Sequence, residues 1–137
     1  MSLEQILLTE LPVDEGIRRK PYVDTVGKIT IGVGRNLTDR GLSDEEINYL
    51  LNNDITLSIT DAKTLFPNFE SLSENRQAVL ANMMFNMGLS RLSEFLNLLH
   101  AIEISDFNQA AQEMLNSTWA HQVGNRAIRL AKQMEIG

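Results

Sequence analysis

Two carboxylates and a hydroxyl stand near one another early in the chain: Glu15, Asp24 and Thr30. A carboxylic acid can give a proton to a leaving oxygen, and a carboxylate can take one from an attacking water. Such a pair can do general acid–base work. The chemistry works only if the chain sets these groups on facing elements, and chain character does change between them. Ahead of Glu15 the pattern is helical. Beyond Asp24 the run 28–33 alternates in polarity and is rich in β-branched residues. It is bracketed by Gly27 and by Gly32 and Gly34, which predicts a short hairpin. A carboxylate ending a helix and another beginning a strand turn could face each other across a cleft, with the Thr30 hydroxyl in the same space. The same residues also have an ordinary reading: acids near turns are commonly solvated, Asp24-Thr25 before Gly27 is turn chemistry, and a strand threonine needs no function.

The elements that must position these groups follow from pattern. Residues 3–10 read as a short amphipathic helix with Leu3, Ile6 and Leu7 on one face. Pro12 inside a longer helix would lose a hydrogen bond and clash with the Leu8 carbonyl, at a cost of ~3 kcal/mol. A separate turn opened by Pro12 and carrying Asp14 and Glu15 is therefore expected. Residues 35–41 form a short polar loop, so the β-region should be small. Ser43 and Glu46 make a capping box for a helix with Ile47, Leu50, Leu51 and Ile55 in periodic positions, ended by Phe66-Pro67-Asn68.

A second box at Ser71 and Glu74 opens a helix whose Val79, Leu80, Met83, Met84 and Met87 mark it as central to a bundle. Gly88 should close that helix with a left-handed cap. Further helices are expected at 90–101, 105–117 and 123–134, separated by Ile104-Ser105 and by Trp119 to Gly124. The fold class is α+β and mostly α. The expected organisation is one domain, 1–137, with residues 12–42 as a small β-hairpin lobe carrying the site and 43–137 as a linking helix and helical bundle.

Composition narrows the function classes. A chain of 137 residues with 43% apolar content can bury a real core. No Cys excludes a disulfide framework, a thiolate nucleophile and Cys-ligated zinc, and the two His, His100 and His121, lie in no ligand pattern. No metal or other cofactor is expected. The net charge of −6 argues against nucleic acid, since phosphate binding needs a basic face. Within that acidic chain Arg18, Arg19, Lys20, Lys28, Arg35 and Arg40 gather around the proposed cleft. Residues 1–10 hold Glu4 within their apolar run and lack a basic start, so no secretory signal is expected, and no run is long enough to span a membrane.

The string Glu15-Gly16, Tyr22-x-Asp24, Gly27-x-x-Thr30-x-Gly32-x-Gly34 resembles the signature of phage-type lysozymes related to the T4 enzyme. Asn82-Met83-x-Phe85-x-Met87-Gly88, then Trp119, then Asn125-Arg126-Ala127 resemble that family's later landmarks in the same order, so the likeness runs from about residue 10 to about residue 135. It implies a two-lobed lysozyme-like fold and an inverting muramidase acting on the β-1,4 bond between N-acetylmuramic acid and N-acetylglucosamine. By the same likeness Glu15 is the general acid, Asp24 the base and Thr30 the residue sharing its water. Arg126 fixes the acid from behind, its ordinary alternative being a surface ion pair. Phe85 lines the sugar groove or the core, and Tyr22 the cleft wall or the core.

Gly32 and Gly34 permit close backbone approach rather than catalyse. Arg35 stands where the best-known member of that family carries His after the glycine pair. The partner implied is bacterial peptidoglycan, met by a monomer without stable membrane association. The place implied is the host bacterial cytoplasm, with access to the wall after membrane permeabilisation. A lysozyme-like module that binds glycan or protein without cleaving it is the alternative.

Overall fold

A computed structural model describes every residue from Met1 to Gly137, in two compact units, Met1–Tyr49 and Leu50–Gly137. In the first unit, α1 spans Leu3–Glu15. Its start is a reciprocal box: the Ser2 hydroxyl accepts from Gln5 N–H at 3.2 Å, and Ser2 N–H donates to Gln5 Oε1 at 2.9 Å. The separate turn expected at Pro12 does not form, and the helix runs through Pro12 to Glu15. The missing bond is tolerable there because α1 carries no buried residue, so water can satisfy the Leu8 carbonyl. Gly16, at φ +77°, then turns the chain while its N–H bonds the Pro12 carbonyl at 3.0 Å.

Three strands follow, β1 (Arg18–Val23), β2 (Ile29–Gly32) and β3 (Arg35–Asn36), in the antiparallel order β1-β2-β3. The expected hairpin is present, but its first strand is the basic run with Pro21. Charges and a proline are compatible with a strand at the sheet edge. The polar stretch after Gly34 also differs from expectation, because Arg35 and Asn36 pair with Ile31 and Thr30. Tyr22 lies opposite Thr30 in the β1–β2 register.

Helix α2, Asp44–Leu65, opens with the Ser43–Glu46 box: Glu46 N–H donates to Ser43 Oγ at 3.2 Å and Ser43 N–H to Glu46 Oε1 at 2.8 Å. It runs on into the second unit, where it buries Ser58 and Ala62. Phe66 ends it. The next cap is Ser73, not Ser71, because Phe69–Ser71 winds into a 3₁₀ turn that buries Phe69 and Leu72 and leaves the Ser73 hydroxyl to accept from Arg76 N–H.

Helix α3 (Glu74–Met87) buries Val79, Leu80, Met83 and Met84 along one face and leaves Ala78 and Phe85 exposed, so the all-round burial that its apolar pattern predicts does not occur. Gly88 closes it at φ +83°, with an extended ψ of 165° in place of the left-handed one expected. The helix expected over 90–101 is broken into α4 (Leu89–Leu92) and α5 (Leu96–Glu103), and α6 covers Phe107–Leu115. The stretch Trp119 to Gly124, expected as a spacer, winds instead into α7 (Thr118–Val123), capped by the Ser117 hydroxyl. What draws it inward is Trp119, fully buried with its indole N–H on Asn86 Oδ1 at 2.9 Å. Helix α8 (Asn125–Ile136) packs on α3, α6 and α7. Its final carbonyls are gripped by Arg76, through Nε to Met134 O at 2.7 Å and Nη2 to Glu135 O at 2.9 Å, with the guanidinium 3.7 Å from the Phe107 ring centre. No helix is long and apolar enough to cross a membrane.

Candidate active site

Glu15 is the last residue of α1, and its side chain lies against the backbone of Gly34. A β-carbon built on Gly34 would stand 2.9 Å from Glu15 Oε2 and 3.2 Å from its Cδ, so a larger residue there would push the carboxylate aside. Gly34 also holds φ +66°, a conformation that L side chains rarely adopt. Close approach is thus the role of Gly34. At Gly32 the space is open, and what requires glycine there is φ +69°.

Asp24 is built into the hairpin turn. Its Oδ1 accepts from Val26 N–H at 3.0 Å and Lys28 N–H at 2.8 Å, while its own N–H donates to Lys28 O at 2.9 Å. These bonds use one carboxylate oxygen and fix the side chain. Oδ2 carries no protein hydrogen bond and keeps its acceptor capacity. Thr30 is buried on β2, its hydroxyl donating to Lys28 O at 3.1 Å. Lys28 thus joins the two residues, its N–H held by Asp24 and its carbonyl by Thr30. Tyr22, across the register from Thr30, is half-buried with the Arg18 guanidinium 4.9 Å from its ring centre.

Beside the Glu15 seat runs a contact that sequence reasoning missed. Arg35 donates from Nη1 to Glu46 Oε1 at 2.8 Å and to the Gly41 carbonyl at 3.2 Å, and its Nη2 lies 2.5 Å from Glu46 Oε2. The Arg35 hydrogen bond, aided by the N–H and hydroxyl of Ser43, holds the Glu46 carboxyl down from its ordinary 4.5 to about 2. The same contact raises the Arg35 guanidinium. Gly34, Arg35, Arg40, Leu42 and Glu46 border a cavity of about 410 Å³. The capping box announced where Glu46 would be, but nothing in the sequence paired it with Arg35.

In the second unit, Arg126 donates from Nε and Nη2 to Asn82 Oδ1, at 3.0 and 2.7 Å. Asn82, Phe85 and Arg126 line a mainly apolar cavity of about 430 Å³ with Leu51, Ile55 and Ile59. Phe85 is 47% exposed, which excludes the core reading for it. Nowhere do three His, Asp or Glu side chains converge as a metal site would require.

A helix ending in a carboxylate, a small antiparallel sheet with a turn-bound aspartate, and a helical bundle make up a lysozyme-like hydrolase fold. The phage lysozyme family model matches residues 13–134. Probable T4-type lysozymes 2 and 1 of Dictyostelium discoideum are each 31% identical over 156 residues, covering 93% of this chain and 92% of their own length. The pre-baseplate central spike protein Gp5 of Enterobacteria phage T4 is 30% identical over 145 residues, covering 85% of this chain and 25% of that protein. The chain belongs to the phage lysozyme family and is a glycoside hydrolase.

Proposed function

We propose that the protein cleaves the β-1,4 bond between N-acetylmuramic acid and N-acetylglucosamine in bacterial peptidoglycan, with inversion at the anomeric carbon. Glu15 gives its proton to the glycosidic oxygen as the bond to the anomeric carbon breaks. A water attacks the opposite face, and Asp24 takes its proton, so that the acid ends deprotonated and the base protonated. The observation that carries this reading is the contrast between the two carboxylates. Glu15 stands free of hydrogen-bonded partners on a glycine seat, while Asp24 is locked by two N–H bonds through one oxygen and presents the other.

Thr30, fixed beside Asp24 through Lys28, is the partner in holding the water, its oxygen serving as acceptor while its proton stays on the Lys28 carbonyl. Arg126 donates to Asn82 rather than to a carboxylate, so its expected role of fixing the acid gives way to that of a donor which, with the exposed ring of Phe85 as an apolar face, serves an N-acetyl sugar. The substrate is the wall of a bacterium. The enzyme works as a monomer, accumulating in the host cytoplasm and reaching the wall once the membrane is permeabilised.

The test is clearing of a peptidoglycan gel by purified protein, with Glu15→Gln beside it. The amide has no proton to give, and loss of a general acid costs ~10²–10⁴-fold. Turnover above about a tenth of wild type would remove Glu15 from the role, a far smaller loss than general-acid catalysis supplies. NMR of a fresh digest should show the α anomer at the new reducing end, and a β product would make Asp24 a nucleophile instead. Wall binding without any cleavage would leave the non-catalytic module standing.

A further inference from the structure

We propose that Arg35 is a positioning residue for Glu15: its guanidinium, forked between Glu46 and the Gly41 carbonyl, holds Gly34, on which the Glu15 carboxylate rests. The inference rests on the reading of Glu15 as the acid and adds to it what keeps that acid in place. Gly34 lies between two points of freedom, because Gly32, Gly34 and Gly41 all have positive φ and β3 is only two residues long. Such a segment has little stiffness of its own. Pairing within the sheet restrains it, Arg35 with Ile31, Asn36 with Thr30 and the Leu37 N–H on the Ile29 carbonyl, and the side chain of Arg35 is the restraint that reaches beyond the sheet. The far end of that side chain is itself anchored, since Glu46 belongs to the first turn of α2 and takes the Ser43 N–H. Arg35 therefore ties the glycine segment to a helix start. A lysine could reach one of the two acceptors but could not make the planar fork that engages both.

Proton transfer is sensitive to such slack, because a misplacement of about 1 Å at the reacting group can cost ~10²-fold. Arg35 points at Glu46 and Gly41, so its loss should act on turnover and leave substrate affinity nearly alone.

The experiment measures kcat and KM on a soluble oligosaccharide of alternating N-acetylmuramic acid and N-acetylglucosamine, for wild type, Glu15→Gln, Arg35→Met, Arg35→Lys, Glu46→Gln and the Arg35→Met/Glu46→Gln double variant. Folding is checked by circular dichroism. Arg35→Met should lower kcat about tenfold with KM within about twofold, and Arg35→Lys should recover part of the loss. The double variant should be no slower than Arg35→Met, because both changes release one clamp.

An inactive wild type, or an active Glu15→Gln, would sink the acid reading itself. If that reading stands and Arg35→Met keeps its kcat, or loses activity only through KM, the clamp is overturned. Additive losses in the double variant would overturn it too. Should Arg35→Met fail to fold, Arg35→Lys and Glu46→Gln carry the same kcat-against-KM comparison, and an unchanged kcat in both overturns the clamp.

Discussion

Gly34→Ala separates the two demands made on one glycine. The first is conformational: a β-carbon at φ +66° costs ~1–2 kcal/mol. For a chain of this size that lowers the Tm by roughly 4–8 °C. The second is spatial. The new methyl would stand 2.9, 3.2 and 3.3 Å from Oε2, Cδ and Cγ of Glu15, whereas ordinary contact begins at 3.4 Å. The carboxylate must retreat by about 0.5 Å, which is cheap for the end of a flexible side chain but not for a proton donor, since ~1 Å at a reacting group is worth ~10²-fold. Gly34→Ala should thus lose about tenfold in kcat by that scaling, on top of the stability cost. Gly32→Ala is the matched control, because Gly32 has φ +69° and open space around its missing side chain. It should show the Tm loss alone. Thermal melts and steady-state kinetics on the soluble oligosaccharide read both quantities. A Gly34→Ala enzyme that melts earlier yet keeps more than half its kcat would refute the reasoning.

Three further outcomes follow from the geometry. Glu46 is held down to about 2 by Arg35 and Ser43, so its contribution to stability is fully present above the ordinary value of 4.5 and is lost as pH falls toward 2. The Tm gap between wild type and Glu46→Gln should accordingly be widest near neutral pH and close by pH ~2, and a gap independent of pH would show that the ion pair contributes nothing. Arg76→Met removes two bonds to the last carbonyls of α8 and the cation over Phe107, and should cost ~1–3 kcal/mol in urea unfolding; an unchanged midpoint would contradict the capping role. With a net charge of −6 facing a polyanionic wall, raising sodium chloride from about 0.01 to 0.15 M, which shortens the Debye length from ~30 to ~8 Å, should speed turbidity loss. A rate that falls steadily from the lowest salt would assign the encounter to the basic strand instead.

What could be read from the chain depended on how local each cause was. The Ser43–Glu46 box, the buried face of α3 and the stop at Phe66 are set by residues within a few positions of one another, and the structure has them all. Pro12 misled because its penalty was reckoned for a helix interior, whereas α1 leaves the Leu8 carbonyl open to water. The strand over the basic run was masked by Pro21 and three consecutive cations, which look like loop until a sheet edge is available to them. Trp119 to Gly124 looked like a spacer because burial of Trp119 against Asn86 depends on a residue 33 positions away. The site divides the same way. Asp24 in a turn is legible from its neighbours, but the choice of Glu15 and Asp24 as a pair comes from the family resemblance, and the place of Glu15 at a helix end is hidden by Pro12, which points to a separate turn. The seat on Gly34, the grip of Arg35 on Glu46 and the hold of Asn82 on Arg126 arise only when distant segments meet.

The hold of Arg76 on the last turn of α8 has a consequence for how the polypeptide is made. The residues it joins are 58 positions apart, and at ribosomal rates of about 5–20 residues per second the later one is delivered ~3–12 s after the earlier. For all that time α3 exists without the helix that covers it, so its apolar face, Val79, Leu80, Met83 and Met84, is a nascent-chain liability rather than a core. The four helices that follow can pair with their sequence neighbours as they emerge, but closure waits for the final turn. Arrested chains lacking 125–136 should accordingly be cut readily by protease within the second unit, whereas released chains resist.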